Sequence, residues 1–68
     1  METRRFTHSM ETLLRYAAKM HPLEADIFGP VLRTAQILER RGFVSVRRGQ
    51  HGFHRVSLTA VGHQAVTW

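Results

Sequence analysis

Residues 40–59 read RRGFVSVRRGQHGFHRVSLT, with five arginines, three glycines and two short runs in which apolar and polar side chains alternate. Phe43, Val44 and Val46 against Ser45 and Arg47 approximate a period of two, and Val56 and Leu58 against Arg55 and Ser57 repeat it. That is the period of a strand with one face on a core. The intervening RRGQHGFH holds two glycines three residues apart, which predicts a hairpin connection longer than the two-residue type. The stretch therefore predicts a two-stranded ribbon over 43–58 with a basic tip. Two strands alone are marginal in water, so the apolar side of the ribbon has to lie against helices.

Helical spacing flanks the ribbon on both sides. Upstream, a helix over 30–41 turns Val31, Ala35 and Leu38 inward with Leu32 and Thr34 beside them, and Gly42 stops it. The same wheel gathers Arg33, Gln36 and Arg40 on the opposite face, with Ile37 at their edge. Nearer the N-terminus, Leu13, Leu14, Ala17 and Met20 share one face of a helix that Thr7, His8 or Ser9 caps and that ends before Pro22. Met10 and Tyr16 lie at its margin.

Between these two helices, HPLEADIFG predicts a short helix with proline in its first turn and Gly29 beyond its end. Leu23 and Ile27 would face inward, with Ala25 or Phe28, leaving Glu24 and Asp26 in water. After the ribbon, Thr59 caps a last helix of about 60–67 burying Val61, Ala65 and Trp68, and Gly62 inside it permits close approach to the ribbon. Residues 1–7 form an arm. The fold class expected is mainly α with a small β-hairpin, arranged as a winged helix-turn-helix in one domain spanning 1–68.

Ten basic residues, nine of them arginine, stand against five acids, for a net charge of +5. From Arg33 onward there are six arginines and a single acid, Glu39. A guanidinium stays charged at any working pH and its fork fits a phosphate or a guanine edge, so this imbalance points to an anionic polymer. The chain has no cysteine, which removes disulfides, thiolate metal sites and thiol catalysis together and fits a reducing compartment. No apolar run approaches the roughly 20 residues of a membrane span, and METRRFTHS lacks the apolar core of a signal peptide. The expectation is a cytoplasmic protein without a membrane partner.

Chemistry is sparse. His51 and His54 sit at a glycine-rich turn with no cysteine or acid near them, so no metal is expected. No set of nucleophile, base and orienting acid converges, and neither a phosphate loop nor an HExxH arrangement occurs. No catalytic residue, cofactor or enzyme activity is expected.

The C-terminal part of the chain resembles winged helix-turn-helix regulators of the multiple-antibiotic-resistance and PadR-like groups. The resemblance is carried by Leu38, Arg40, Arg41, Gly42, Phe43 and Val44, then Arg47, Arg48 and Arg55, then Leu58, Thr59 and Gly62, and covers mainly residues 30–66. It implies that 30–41 is a recognition helix and 47–55 the wing. Those regulators have additional dimerisation helices, and the IFGP turn here lacks their serine-proline-serine start.

Combining resemblance and residue chemistry, Arg33, Gln36 and Arg40 are expected at base edges of double-stranded DNA. Arg41, Arg47, Arg48, Gln50, His51, His54 and Arg55 are expected at its backbone or in the wing contact. A single module of this size buries too little for tight selective binding, so a small transcriptional regulator acting as a homodimer is expected, anchored by Phe6, Met10 and Trp68. The alternative is a protein-interaction module or accessory subunit on the same scaffold, using Ile37, Phe53 and the IFGP turn.

Overall fold

A computed structural model describes residues 6–66. Helix α1 (His8–Met20) is followed by strand β1 (Ala25–Ile27), helix α2 (Gly29–Arg40), strands β2 (Val44–Arg48) and β3 (His54–Leu58), and a short helix α3 (Ala60–Ala65). The strands form one antiparallel sheet in the order β1-β3-β2. Three helices on a three-stranded antiparallel sheet make an α+β layout compatible with a winged helix.

Local chemistry accounts for most boundaries. The Thr7 hydroxyl accepts a hydrogen bond from the Met10 amide and caps α1, and Met10, Leu13, Leu14 and Ala17 repeat at the helical period to form its buried stripe. At the end of α2 the Phe43 amide donates to the Leu38 carbonyl and the Gly42 amide to that of Glu39, with Gly42 at φ +89°. This pair of bonds is the Schellman arrangement, and it needs a residue tolerant of positive φ at Gly42. It turns the chain straight into β2 and carries Phe43 into the core beside Leu38.

Four expectations are corrected or refined. The short helix over 21–29 does not form. Ala25 and Ile27 are buried while Asp26 between them is exposed, a period of two, and the segment pairs with the edge that β3 offers away from β2. A segment of nine residues is too short for a helix to outcompete that edge. Leu23, expected inside, is 68% exposed, and Phe28 also lies on the surface. The sheet thus has three strands where a hairpin alone was expected.

Second, the wing turn is refined: five residues, 49–53, connect β2 to β3, longer than a two-residue connection as expected. His51 and Gly52 both take positive φ (58° and 80°), and the Phe53 amide donates to the Gln50 carbonyl, giving a two-residue primed turn. Gly49 donates to the Phe53 carbonyl, so Gly49 and Gln50 together oppose Phe53 and absorb the extra residue as a bulge. Third, α3 stops at Ala65 and leaves Val61 exposed; Trp68 lies outside the described residues. Fourth, Met10, expected at the helix margin as an interface anchor, is a buried core residue, while Phe6 is half-buried with its ring edge-on to Phe43 at 5.2 Å.

The core lies between the helices and one face of the sheet, with Leu14, Leu38, Val44 and Val56 as its largest fully buried members. Gly62 has the role expected of it. A β-carbon there would collide with the Phe43 carbonyl oxygen and reach Leu58 Cδ2 at 3.0 Å, so α3 seats against the start of β2 only because the side chain is missing. Thr59 caps α3 by accepting from the Gly62 amide and donates its hydroxyl to the Gly42 carbonyl, tying both turns together.

Candidate nucleic-acid interface

The rotation of α2 about its axis decides which side chains reach solvent. Ala35 and Leu38 are fully buried, and the Glu39 carboxylate accepts the Val46 amide at 3.1 Å, so the flank carrying Glu39 faces the edge strand β2. At 100° per residue, Gln36, Arg40 and Arg33 then fall about 100°, 140° and 160° from Ala35, around the same flank as Glu39 and onto the solvent side. All three are exposed. Arg33 and Arg40 make no ion pair among the described residues, and the only acid of α2, Glu39, is turned toward β2. Arg41, at the C-cap, is exposed on the other flank, about 100° round from Arg40.

The wing arginines divide between the two faces of the sheet. Val44 is buried and Val46 half-buried on the helix side, so Arg48, in the same alternation, emerges on that side, level with the start of α2 through the register Arg48↔His54↔Ile27. Arg48 is exposed. Arg47 and Arg55 occupy the opposite face, directly paired with each other and, through Arg55, with Asp26.

There they meet acids. Arg47 binds the Glu24 carboxylate with two nitrogens at 2.6 and 2.7 Å, and Arg55 lies 3.7 Å from Glu24 and 3.5 Å from Asp26. The hydrogen bonds from Arg47 hold the Glu24 carboxyl below its usual range, aided by the charges of Arg47 and Arg55 and opposed by partial desolvation. The same bonds raise Arg47. These two arginines, expected to meet a backbone phosphate, are occupied on a face turned away from Arg33, Arg40 and Arg48.

The remaining wing residues also separate. Gln50 and His51 are exposed at the turn. His54 lies on the helix side, half-buried, with Nδ1 sealed from solvent and without a hydrogen bond, because its place in β3 puts it in the alternation of Val56 and Leu58. It does not extend the exposed wing surface as expected. Phe53 lies over Phe28, ring centroids 5.8 Å apart and nearly perpendicular, on the Arg47 side of the sheet. Ile37, about 160° from Ala35, is on the far side of α2 from the sheet, so it does not form one contact surface with Phe53.

The sheet neighbourhood of Glu24, Asp26, Phe28 and Phe53 was missed from sequence because a helix was expected at 21–29. The alternation of Ala25, Asp26 and Ile27 was the signal available. Among the described residues no group of three or more histidine, aspartate or glutamate side chains converges as a metal site. Among the described residues no helix is long and apolar enough to cross a membrane. No protein-family model, curated protein or solved structure matches this chain.

Proposed function

We propose that the protein is a small winged helix transcriptional regulator that binds double-stranded DNA, with α2 as the recognition helix. One observation carries the reading: the solvent side of α2 presents Arg33, Gln36 and Arg40 exposed, with the helix's one acid turned away to β2. Arginine and glutamine are the side chains suited to guanine and adenine edges. A helix of 12 residues is about 18 Å long and fits along a major groove about 12 Å wide.

Arg48 and the turn at Gln50 and His51 supply backbone contacts beside the N-terminal half of α2, where recognition helices go deepest. Arg41 reaches the backbone from the far end of the helix. Arg47 and Arg55 have no part in this contact while Glu24 and Asp26 hold them. The module acts as a homodimer, since a single copy buries too little surface for selective binding.

Double charge reversal, Arg33→Glu with Arg40→Glu, tests the reading. Both positions are exposed, so circular dichroism and the melting temperature stay near wild type while affinity for a selected duplex falls by about 100-fold or more. Binding unchanged by the double reversal would refute the assignment of α2.

A further inference from the structure

We propose that Gln36 and Ile37 together read one A·T base pair, Gln36 at the adenine and Ile37 at the methyl group of its thymine, between two G·C pairs taken by Arg33 and Arg40. The proposal rests on α2 being the recognition helix and adds which bases that helix selects.

The four side chains form one outward stripe. Arg33 and Arg40 lie within about 20° of each other on the wheel, and Gln36 and Ile37 depart from their mean direction by about 50° to either side. All four are exposed. Arg33, Gln36 and Arg40 make no side-chain hydrogen bond among the described residues, so their donors are available to a ligand. Ile37 is 36% exposed and is, among the described residues, the one large apolar side chain of α2 to reach the surface so far.

An isoleucine set within a row of guanidinium and amide groups restricts the partner. It must be anionic, must offer hydrogen-bonding edges, and must carry an apolar group close beside them. The major groove of duplex DNA has one such group, the 5-methyl of thymine, next to the N6 and N7 of the adenine paired with it. A phosphate surface has none, and on it the neutral amide of Gln36 would release no counterion.

Spacing sets the order of the bases. Along the helix axis Gln36 is about 4.5 Å from Arg33, and Arg40 is about 10.5 Å from it. Base pairs rise about 3.4 Å along the duplex axis, and the step is longer along the oblique path of the groove, so the three levels meet three successive pairs. Readers three positions apart on a zinc-finger helix do the same. Gln36 and Ile37 are only about 1.5 Å apart along the axis but about 100° apart around it, so they approach one pair from its two strands. Glutamine holds adenine through N6 and N7 with two hydrogen bonds, and arginine holds guanine through O6 and N7 in the same way. The element expected is G·C, A·T, G·C in succession.

Selection by the whole chain from a library of random duplexes tests the order, and the enriched sites are expected to contain that triplet. Replacing its central A·T by G·C should weaken wild-type binding by about tenfold or more, and much less in Gln36→Ala. Ile37 is tested in the DNA itself, where no variant has to fold. Uracil in place of the central thymine removes the methyl group alone and should weaken wild-type binding by about fourfold, whereas Ile37→Ala should bind both duplexes equally. Enriched sites without the triplet, no uracil penalty in the wild type, or a penalty that persists in Ile37→Ala would overturn the proposal. If Arg33→Glu with Arg40→Glu abolishes binding while the triplet is not preferred, only the base assignment fails. Duplex binding unchanged by that double reversal removes the recognition helix and this proposal with it.

Discussion

A methyl group at Gly62 would overlap the Phe43 carbonyl oxygen and press on Leu58, and neither neighbour can retreat without opening the junction between α3 and β2. Although alanine is the better helix former, Gly62→Ala is expected to destabilise the protein by about 3 kcal/mol through overpacking against backbone, measured by urea unfolding. A neutral or stabilising outcome would mean that α3 docks elsewhere. Glu24 gives a prediction in pH. Its carboxyl is held below the usual range by Arg47, so the folded state favours the ionised form more than the unfolded state does. The stabilisation is complete above the ordinary glutamate range and is lost as pH falls through the depressed folded value. Wild type should therefore melt above Glu24→Gln at neutral pH, with the gap closing as the solution is made acid enough to protonate the carboxyl; a gap that persists in acid would rule out the ion pair as its source.

Among the elements, β2 illustrates how an edge strand is protected. It is the outer strand beside α2, and the Glu39 carboxylate takes up the amide of Val46 that would otherwise face solvent. The same bond sets the rotation of α2, so one residue both blunts an edge and aims Arg33, Gln36 and Arg40 outward. Glu39→Ala is expected to cost about 1 kcal/mol and to speed hydrogen exchange at the Val46 amide by about tenfold relative to the amides that bond β3. Equal protection in both proteins would show that the carboxylate does not hold the edge. The opposite edge is treated similarly, with the Tyr16 hydroxyl donating to the Asp26 carbonyl at 3.4 Å.

For the whole molecule, the sheet divides the cationic side chains into two sets. Reading all the wing arginines as phosphate ligands gives four to six neutralised phosphates and a slope of log affinity against log salt of about −4 to −5. With Arg47 and Arg55 paired to Glu24 and Asp26 on the far face, three exposed arginines, Arg33, Arg40 and Arg48, stay outside any ion pair among the described residues. The slope expected from titrations of a duplex at several salt concentrations is therefore about −3. A slope near −5 would mean that the Glu24 cluster opens on binding and frees its arginines.

The helices, the ribbon and their caps were legible in the chain itself. Thr7, Gly42, Thr59 and the periods of 3.6 and 2 act within a few residues of where they stand, and local sterics and hydrogen bonding suffice to express them. The outward side of α2 was legible for the same reason, since a helix of known rotation displays its wheel. What tertiary structure decided was everything that depends on a distant partner. Ala25–Ile27 became a strand because β3, some 30 positions away, offered an unpaired edge. Arg47 and Arg55 became ion-paired because that strand brought Glu24 and Asp26 beside them. Sequence spacing carries the energy of a turn or a cap, whereas pairing across a sheet is settled only when separate segments compete for the same backbone hydrogen bonds.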